Sequence, residues 1–197
     1  MIKKSADRKR DPIPSQAKRV FRGKIFEVWQ WPQKMYDGTL HIFERLKRPD
    51  TVQVIAVAGD KILVQSQKQP DRKQAFTSLP GGRCNHRENP LVAAKRELRE
   101  ETGYESNDWL LWKQHSPMGK IEWIIFTYLA RSCIFKQRPR LDSGEKIKNR
   151  LISFKDFLNL AEDKNFFDPQ LVITLLRAKH DRRKKAGLYK LLFKKHI

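Results

Sequence analysis

The sequence predicts an α/β fold in which helices pack on a mixed β-sheet, preceded by a small N-terminal β-region. Strand-rich segments lie before and after one helical segment, and two further helical segments follow. The run of residues 121–130 is apolar at nearly every position, as in a strand that is buried on both faces. Asn89-Pro90 and Asp168-Pro169 each combine a capping side chain with a proline, which is typical of a helix start.

The first 50 residues are predicted to form a flexible arm and then the small β-region. Residues 1–19 are highly charged and contain two prolines, which favours a loose basic arm. In the region 20–50, strands are predicted at 26–31 and 40–46, with a turn at Asp37-Gly38 between them.

Residues 51–178 are predicted to form the main domain of this 197-residue chain. Its predicted strands cover residues 52–58, 61–65, 109–113, 121–131 and 151–153. Residues 66–77 and 141–146 are predicted to be polar loops. Helices are predicted over 90–102, over 154–160 and from Pro169 onward, and residues 179–197 are predicted to be a basic tail.

The helix over residues 90–102 carries three carboxylates on one face. Asn89 caps its start, and Gly103 stands where a left-handed C-cap is expected. The spacing i, i+3 and i+4 brings together Glu97, Glu100 and Glu101. The neighbouring apolar stripe, which places the acidic face at the edge of the core, consists of Leu91, Ala94 and Leu98.

Three clustered carboxylates repel one another unless a cation lies among them. Hard divalent ions such as Mg²⁺ prefer oxygen ligands and share their remaining positions with water and substrate phosphates. The cluster is therefore compatible with a Mg²⁺ site, with Mn²⁺ as an alternative ion. The local sequence RELREE alone also fits a solvated helix face with Glu–Arg pairs.

The net charge of +20 is concentrated at the two ends of the chain. Residues 1–24 hold nine Lys and Arg against two Asp, and residues 177–197 hold nine against one Asp. Such ends are typical of solvated arms, but they also suit steering of polyanionic substrates or nonspecific nucleic-acid contact. Basicity alone does not distinguish these alternatives.

Cysteine usage and hydropathy favour a cytoplasmic protein without a membrane span. Cys84 and Cys133 lack the CxxC spacing and indicate reduced thiols. No apolar run approaches the length of a membrane-spanning helix, and residues 1–10 lack the apolar stretch of a secretory signal.

The spacing around the acidic helix resembles the signature of the Nudix hydrolases. The matching positions are Gly82, Glu88, Arg96-Glu97-Leu98, Glu100-Glu101 and Gly103. Tyr104 departs from the pattern, since the family usually has an aliphatic residue there. The resemblance implies an α/β/α sandwich with a mixed sheet. It extends more weakly over residues 20–178 to the branch of ADP-ribose and nucleotide-sugar pyrophosphatases.

The resemblance also implies roles for residues of the signature. Glu97, Glu100 and Glu101 would be the metal ligands, with the backbone carbonyl of Gly81 as an additional oxygen. Glu88 and Arg96 would form a structural ion pair, with direct metal contact by Glu88 as the alternative. Gly82 and Gly103 would be structural positions.

A catalytic base is expected outside the signature, on a loop after the acidic helix. In the ADP-ribose branch this base is often a Glu, and the loop at 141–147 offers Glu145 first and Asp142 second. A plain polar turn explains the same residues equally well. In other branches a signature Glu acts as the base, which here would be Glu100 or Glu101.

Substrate contacts are expected from the N-terminal β-region. Phe43-Glu44 matches an aromatic–Glu pair that helps hold adenine in the ADP-ribose branch, often across a dimer. Trp29 and Trp31 are candidates for stacking on the base, and Arg48 for contact with a phosphate. Ordinary packing is the alternative for the aromatic residues.

Two departures weaken the match to ADP-ribose specificity. Residues 78–82 read Ser-Leu-Pro-Gly-Gly, the general form of the family, in place of the Glu-Leu-Pro-Ala-Gly of that branch. Residues 67–69 read Gln-Lys-Gln and lack the branch's phosphate-binding Arg, for which Lys68 or Arg72 are the available substitutes.

The expected function is that of a Mg²⁺-dependent Nudix pyrophosphohydrolase. Its substrate would be a nucleoside diphosphate linked to another moiety, with ADP-ribose or a nucleotide sugar leading. The alternatives are a dinucleoside polyphosphate, an RNA 5′ end, and a non-catalytic module that senses nucleotides or binds RNA. Expected partners are the small-molecule substrate, a second copy of the chain by family analogy, and nucleic acid through the basic ends.

Overall fold

The computed structural model describes residues 12–193, so the predictions for residues 1–11 and 194–197 lie outside the described residues. The strands in this range are β1 (Lys18–Arg22), β2 (Glu27–Lys34), β3 (Leu40–Lys47), β4 (Thr51–Ala58), β5 (Lys61–Lys68), β6 (Phe76–Ser78), β7 (Gly81–Arg83), β8 (Tyr104–Glu105), β9 (Asp108–His115), β10 (Ile121–Glu122), β11 (Ile125–Arg131), β12 (Ile134–Phe135) and β13 (Lys146–Ile152). The helices are α1 (Pro90–Thr102), α2 (Phe154–Asn159), α3 (Pro169–His180) and α4 (Arg182–Phe193), with a 3₁₀ turn at Leu160–Glu162.

The central sheet is mixed and has helices on both faces. Its strand order is β13-β5-β4-β11-β9, with β6 added to β5 and β7 added to β4. The β4–β11 pair is parallel, whereas β5 pairs antiparallel with both β4 and β13. One face packs against α1, and the other packs against α2, α3 and α4. The predicted α/β fold with an α/β/α sandwich is therefore confirmed.

The N-terminal β-region is a separate sheet with the order β1-β2-β3-β10. The predicted hairpin at the Asp37-Gly38 turn is present as β2 and β3. The first strand begins at Lys18, inside the segment predicted to be a loose arm. It pairs with β2 from Lys18↔Gln30 to Arg22↔Glu27, so backbone pairing orders the end of that segment.

The single strand predicted at 121–131 is two strands in different sheets. Residues 121–122 pair in parallel with β3, and residues 125–131 pair with β4 and β9. Between them, the N–H of Ile124 donates to Asp50 and the indole of Trp123 donates to Thr51. These bonds turn the chain from one sheet into the other, and they depend on residues more than 70 positions away.

Two predicted loops are partly strands. Strand β5 extends to Lys68, and β6 adds Phe76 and Thr77 of the predicted loop 66–77 to the sheet. Strand β13 begins at Lys146, five residues before the short strand predicted at 151–153. In both places polar residues form backbone pairs, such as Lys146↔Lys68, which the polar composition does not reveal.

The segment predicted to be a basic tail forms helix α4. Leu188 and Leu192 are i, i+4 neighbours and are buried in the core on the helical side opposite α1. Leu191 and Phe193 also pack against this core, so apolar contacts fix the position of the helix although it carries five Lys and Arg residues. No helix of the described residues is long and apolar enough to cross a membrane.

Candidate active site

Helix α1 has the predicted bounds and fixes the position of the acidic face. Asn89 accepts from the N–H of Leu91 at 2.9 Å. Gly103 closes the helix at φ +74°, and its N–H donates to the carbonyl of Arg99 at 2.9 Å. A Cβ at Gly103 would lie only 1.8 Å from the carbonyl oxygen of Gln137, so the predicted structural glycine has a steric reason.

Glu101 is the most enclosed carboxylate of the face and is only 4% exposed. It accepts from the N–H of Gly81 at 2.8 Å and from the side-chain amide of Gln65 at 3.1 Å. Burial raises the pKa of Glu101 to about 8, against the lowering effect of the Gly81 hydrogen bond. The charges of Glu97 and Glu145 raise it further, so both carboxylates lie close enough to act on Glu101.

Glu97 and Glu100 share one guanidinium. Nη1 of Arg96 donates to Glu97 at 2.8 Å and to Glu100 at 3.1 Å. Burial raises the pKa of Glu97, Arg96 opposes this effect, and the charges of Glu100 and Glu145 add to the rise. The three predicted ligands therefore lie together, and Arg96 is the cation beside two of them.

The predicted ion pair between Glu88 and Arg96 is present. Nε and Nη2 of Arg96 donate to the two carboxylate oxygens of Glu88 at 3.0 and 3.1 Å, a bidentate contact. The hydrogen bond from Arg96 lowers the pKa of Glu88. Arg96 also donates to the carbonyl of Arg83, so this side chain braces the loop before α1 against the helix.

The two glycines before the helix allow close backbone contacts. A Cβ at Gly81 would lie 2.2 Å from the carbonyl oxygen of Val52, so β7 approaches β4 too closely for any side chain. A Cβ at Gly82 would lie 2.4 Å from Oε1 of Glu97. Gly82 therefore leaves the space in which the Glu97 carboxylate lies.

The loop that holds Glu145 lies near the acidic face. The N–H of Glu145 donates to the carbonyl of Asp142 at 2.9 Å, which forms a tight turn. Asn149, in the middle of the following strand β13, donates to the backbone carbonyl of Glu101 and ties this segment to the end of α1. Asp142 is exposed, whereas Glu145 is half-buried and its charge acts on Glu97 and Glu101. Its role as the base stays a prediction.

The donor set suits a hard divalent cation. Glu97, Glu100, Glu101 and Glu145 supply only carboxylate oxygens. Burial raises the pKa of Glu97 and Glu101, and repulsion between the carboxylates adds to the rise. Among residues 12–193, no three acidic, histidine or cysteine side chains already surround one ion position. The residues therefore fit Mg²⁺ by the chemistry of their donor atoms.

A large open cleft of about 1010 Å³ adjoins this site. Its walls are the N-terminal sheet, residues 84–90 before α1, and residues 121–124. Glu88 belongs to both the cleft and the acidic site, which places the two next to each other. The cleft is wide enough for a small-molecule ligand and combines cationic with aromatic side chains.

A family model of the NUDIX domain matches residues 47–175, which is more than half of the chain. The chain belongs to the Nudix family. It is a Nudix hydrolase, as the signature between Gly82 and Tyr104 predicts.

Similar proteins point to one part of the Nudix family. The methanol dehydrogenase activator of Bacillus methanolicus is 27% identical over 164 residues, which are 81% of this chain and 88% of that protein. The ADP-ribose pyrophosphatase of Bacillus subtilis (strain 168) is 26% identical over 153 residues, 76% of this chain and 83% of that protein. The crystal structure of an ADP compounds hydrolase shares the fold, with a TM-score of 0.70, 20% identity, and coverage of 88% of this chain and 94% of that chain.

In this Nudix hydrolase, Trp29 and Arg48 line the cleft, and their role as substrate contacts stays a prediction. The guanidinium of Arg48 lies 4.2 Å from the ring centre of Trp123 and 5.6 Å from that of Phe26. Burial lowers the pKa of Arg48, and the charge of Arg83 lowers it further. Two cations close together favour an anionic ligand at this end of the cleft.

The other predicted substrate contacts do not line the cleft. Trp31 is 5% exposed and packs edge-on against Phe43, which corrects the expectation of an open stacking surface. The indole of Trp31 donates to Gln33, and Glu44 accepts from Gln30 on the facing strand. In this chain, Trp31, Phe43 and Glu44 are part of the N-terminal sheet, because their cross-strand partners hold them there.

Sequence reasoning missed two residues of the site in this Nudix hydrolase. Gln65 is fully buried and orients Glu101, and Trp123 covers Arg48 at the cleft. A glutamine in the apolar strand KILVQ was a visible signal, since a buried polar side chain needs a partner. Trp123 gave no comparable signal within its apolar run.

Proposed function

We propose that this Nudix hydrolase is a Mg²⁺-dependent pyrophosphohydrolase that cleaves the pyrophosphate of a nucleoside diphosphate linked to another moiety. ADP-ribose or a nucleotide sugar is the leading substrate, and Mn²⁺ is an alternative ion. The observation that carries this proposal is the acidic face of α1 beside a cationic and aromatic cleft. Hydrogen bonds hold its carboxylates in place, from Arg96 to Glu97 and Glu100 and from Gln65 and Gly81 to Glu101. The curated relative named as an ADP-ribose pyrophosphatase supports the leading substrate class.

Glu97, Glu100, Glu101 and the carbonyl of Gly81 would hold the divalent ion. When bound, such an ion neutralises the phosphate oxygens and makes a bound water more acidic. The chain keeps its ligands in place through Gly81 N–H and Gln65, which hold Glu101, and through Arg96, which holds the loop by its bond to Glu88.

Glu145 would accept the proton of the attacking water. Its carboxylate lies on the turn between Asp142 and β13, close enough to shift the pKa of Glu97 and Glu101. A base at this position acts next to the cluster without being enclosed in it. In the cleft, Trp29 would stack on the base and Arg48 would contact a phosphate of the substrate.

The test is the release of nucleotide products from a substrate panel with and without Mg²⁺. The panel holds ADP-ribose, nucleotide sugars, a dinucleoside polyphosphate and a 5′-triphosphorylated RNA. Mg²⁺-dependent AMP formation, fastest from ADP-ribose or a nucleotide sugar, is the expected result. Preference for the dinucleoside polyphosphate or the RNA would replace the leading substrate. Nucleotide binding without any turnover would support the non-catalytic sensor and overturn the proposal.

We also propose that the protein forms a homodimer through its N-terminal sheet. Apolar side chains of this sheet are exposed on one face: Phe21, Leu40 and Ile42. The strand register places all three on the same face, because Phe21 pairs with Val28 and Ile42 pairs with Pro32, and Leu40 and Ile42 are neighbours on that face of β3. The opposite face carries Trp29 and Arg45 and borders the cleft, so a second copy would leave the cleft accessible.

A further inference from the structure

The first turn of α4 concentrates cations at the helix end where negative charge is favoured. Arg182, Arg183, Lys184 and Lys185 are consecutive and exposed. The helix dipole places partial positive charge at an N-terminus, so these side chains are repelled by it and by one another. A sequence that served only folding would place acidic residues in this turn.

Little in the protein compensates this charge. Asp181 accepts from the N–H groups of Arg183 and Lys184, and its carboxylate lies 3.6 Å from Nζ of Lys184. Within residues 12–193, Arg182, Arg183 and Lys185 form no ion pair at all. Helix α4 itself contains no acidic residue, so the charge remains available to an external anion.

An exposed aromatic ring continues the cationic side of the helix. Arg182, Lys185 and Tyr189 recur at i, i+3 and i+7, which aligns them along one side of α4. Tyr189 is 49% exposed, and its ring packs against two others. The ring centres of Phe154 and Phe193 lie 5.2 Å and 4.8 Å from that of Tyr189. Its ring is therefore held in position and partly open to a ligand.

The buried side of α4 argues against a membrane surface as the ligand. An interfacial helix inserts its apolar face among lipid chains. The apolar residues Leu188 and Leu192 are 6% and 1% exposed because they pack in the protein core. The exposed side therefore offers cations and one ring, and it offers no apolar stripe for insertion.

We propose that α4 binds single-stranded nucleic acid. Arg182, Arg183 and Lys185 contact backbone phosphates, and Tyr189 stacks on one unpaired base. Arg182 and Tyr189 lie seven residues apart, which is about 10 Å along the helix axis. A single strand of a few nucleotides spans this distance, whereas the bases of a duplex are stacked on one another and do not reach the ring. This binding is separate from hydrolysis at α1.

The test is fluorescence anisotropy of the full chain with a labelled oligouridylate of about 12 nucleotides, and with the matching single-stranded DNA, at several salt concentrations. R182A/K185A is expected to weaken binding of either single strand about tenfold and to reduce the slope of log K against log salt by about 1.4. Y189A is expected to weaken binding about tenfold, and Y189F to bind as the unchanged protein.

Two controls separate this proposal from general attraction of a basic protein. K34A/K164A removes the same charge from exposed positions on β2 and before α3, and it is expected to retain full affinity. Small-nucleotide hydrolysis by R182A/K185A is expected to match that of the unchanged protein. Its thermal unfolding temperature is expected to be equal or higher, because the change removes cations from a helix N-terminus. The proposal would be overturned by an equal loss of affinity in the two double variants or by equal affinity of Y189A and Y189F. It would also be overturned if the protein bound anionic phospholipid vesicles but did not bind single strands.

Discussion

At the scale of single residues, the acidic face of α1 divides into one buried carboxylate and two that share Arg96. Glu101 is enclosed by Gly81 and Gln65, whereas the carboxylates of Glu97 and Glu100 bond the same guanidinium nitrogen. All three carboxylates are expected to bind one divalent cation. Removing one charge should therefore damage catalysis much more than folding.

Glu100→Gln and Glu101→Gln are each expected to lower kcat/KM by at least about 100-fold, since even residues that only orient metal ligands cost up to that factor. The amide keeps the shape of the side chain and removes its charge. The measurement is hydrolysis of the preferred substrate over a Mg²⁺ titration, with thermal unfolding as the check of the fold. Glu105→Gln, on the exposed strand β8, is the matched control. Full activity of the double variant E100Q/E101Q would remove these residues from the metal site.

Glu145→Gln is expected to lower kcat about 100-fold and to leave KM nearly unchanged, because a general base acts in the transition state. Asp142→Asn, in the same turn, is expected to retain activity, since Asp142 is exposed. Steady-state kinetics of the two variants separate a catalytic carboxylate from a turn that needs only its backbone. An unchanged kcat in E145Q would transfer the base to Glu100 or Glu101.

Gly82→Ala is expected to reduce activity because the new methyl group would lie 2.4 Å from Oε1 of Glu97 and force that carboxylate to move. The expected result is a rise in the Mg²⁺ concentration needed for half-maximal rate, together with an activity about tenfold lower. Gly119→Ala is the matched control, since no atom lies within 4 Å of its added Cβ. An identical Mg²⁺ response in the two variants would contradict a role for this glycine in placing Glu97.

At the scale of elements, the signals that succeeded are local in the sequence. Helix α1 has its predicted bounds because Asn89 and Gly103 mark its two ends within the segment itself. The Glu88–Arg96 pair was also accessible, since a signature fixes the spacing of its two partners. These features need no knowledge of distant parts of the chain.

The signals that failed concern partners far away in the sequence. The break before Ile125 depends on Asp50 and Thr51, and the role of Gln65 depends on Glu101. Helix α4 was missed because its cations dominate the composition, whereas two buried leucines determine its packing. Local pattern therefore predicted which carboxylates share a face of α1, and tertiary contacts were needed to find what holds them. Their role as metal ligands stays a prediction.

Gly187→Ala is expected to raise the free energy of unfolding by about 0.5–1 kcal/mol, because Gly187 lies inside α4 and alanine is the better helix former. No atom lies within 4 Å of the added Cβ. The same change at Gly59, where φ is +60° in the β4–β5 turn, is expected to cost about 1 kcal/mol. Thermal and urea unfolding of both variants measure the two effects. Destabilisation by Gly187→Ala would show that α4 is less regular than described.

At the scale of the whole molecule, the N-terminal sheet separates two surfaces with different character. One face, with Trp29 and Arg45, borders the cleft next to the acidic helix. The other face exposes Phe21, Leu40 and Ile42, whose exposed fractions are 58%, 69% and 67%. Apolar exposure on one face is the basis of the proposed homodimer, in which this face would pack against the same face of a second copy.

Ile42→Lys is expected to convert a dimer into a monomer, because two lysines would then meet near the axis of a symmetric interface. Sedimentation velocity over a range of protein concentrations measures this change. Ile173→Lys is the matched control, since Ile173 is 42% exposed on α3, outside the N-terminal sheet, and should leave the dimer intact. The cleft lies on the opposite face, so kcat of I42K is expected to stay within about twofold of the unchanged protein unless the partner completes the substrate site. An unchanged protein that sediments as a monomer at every concentration would contradict the proposed interface.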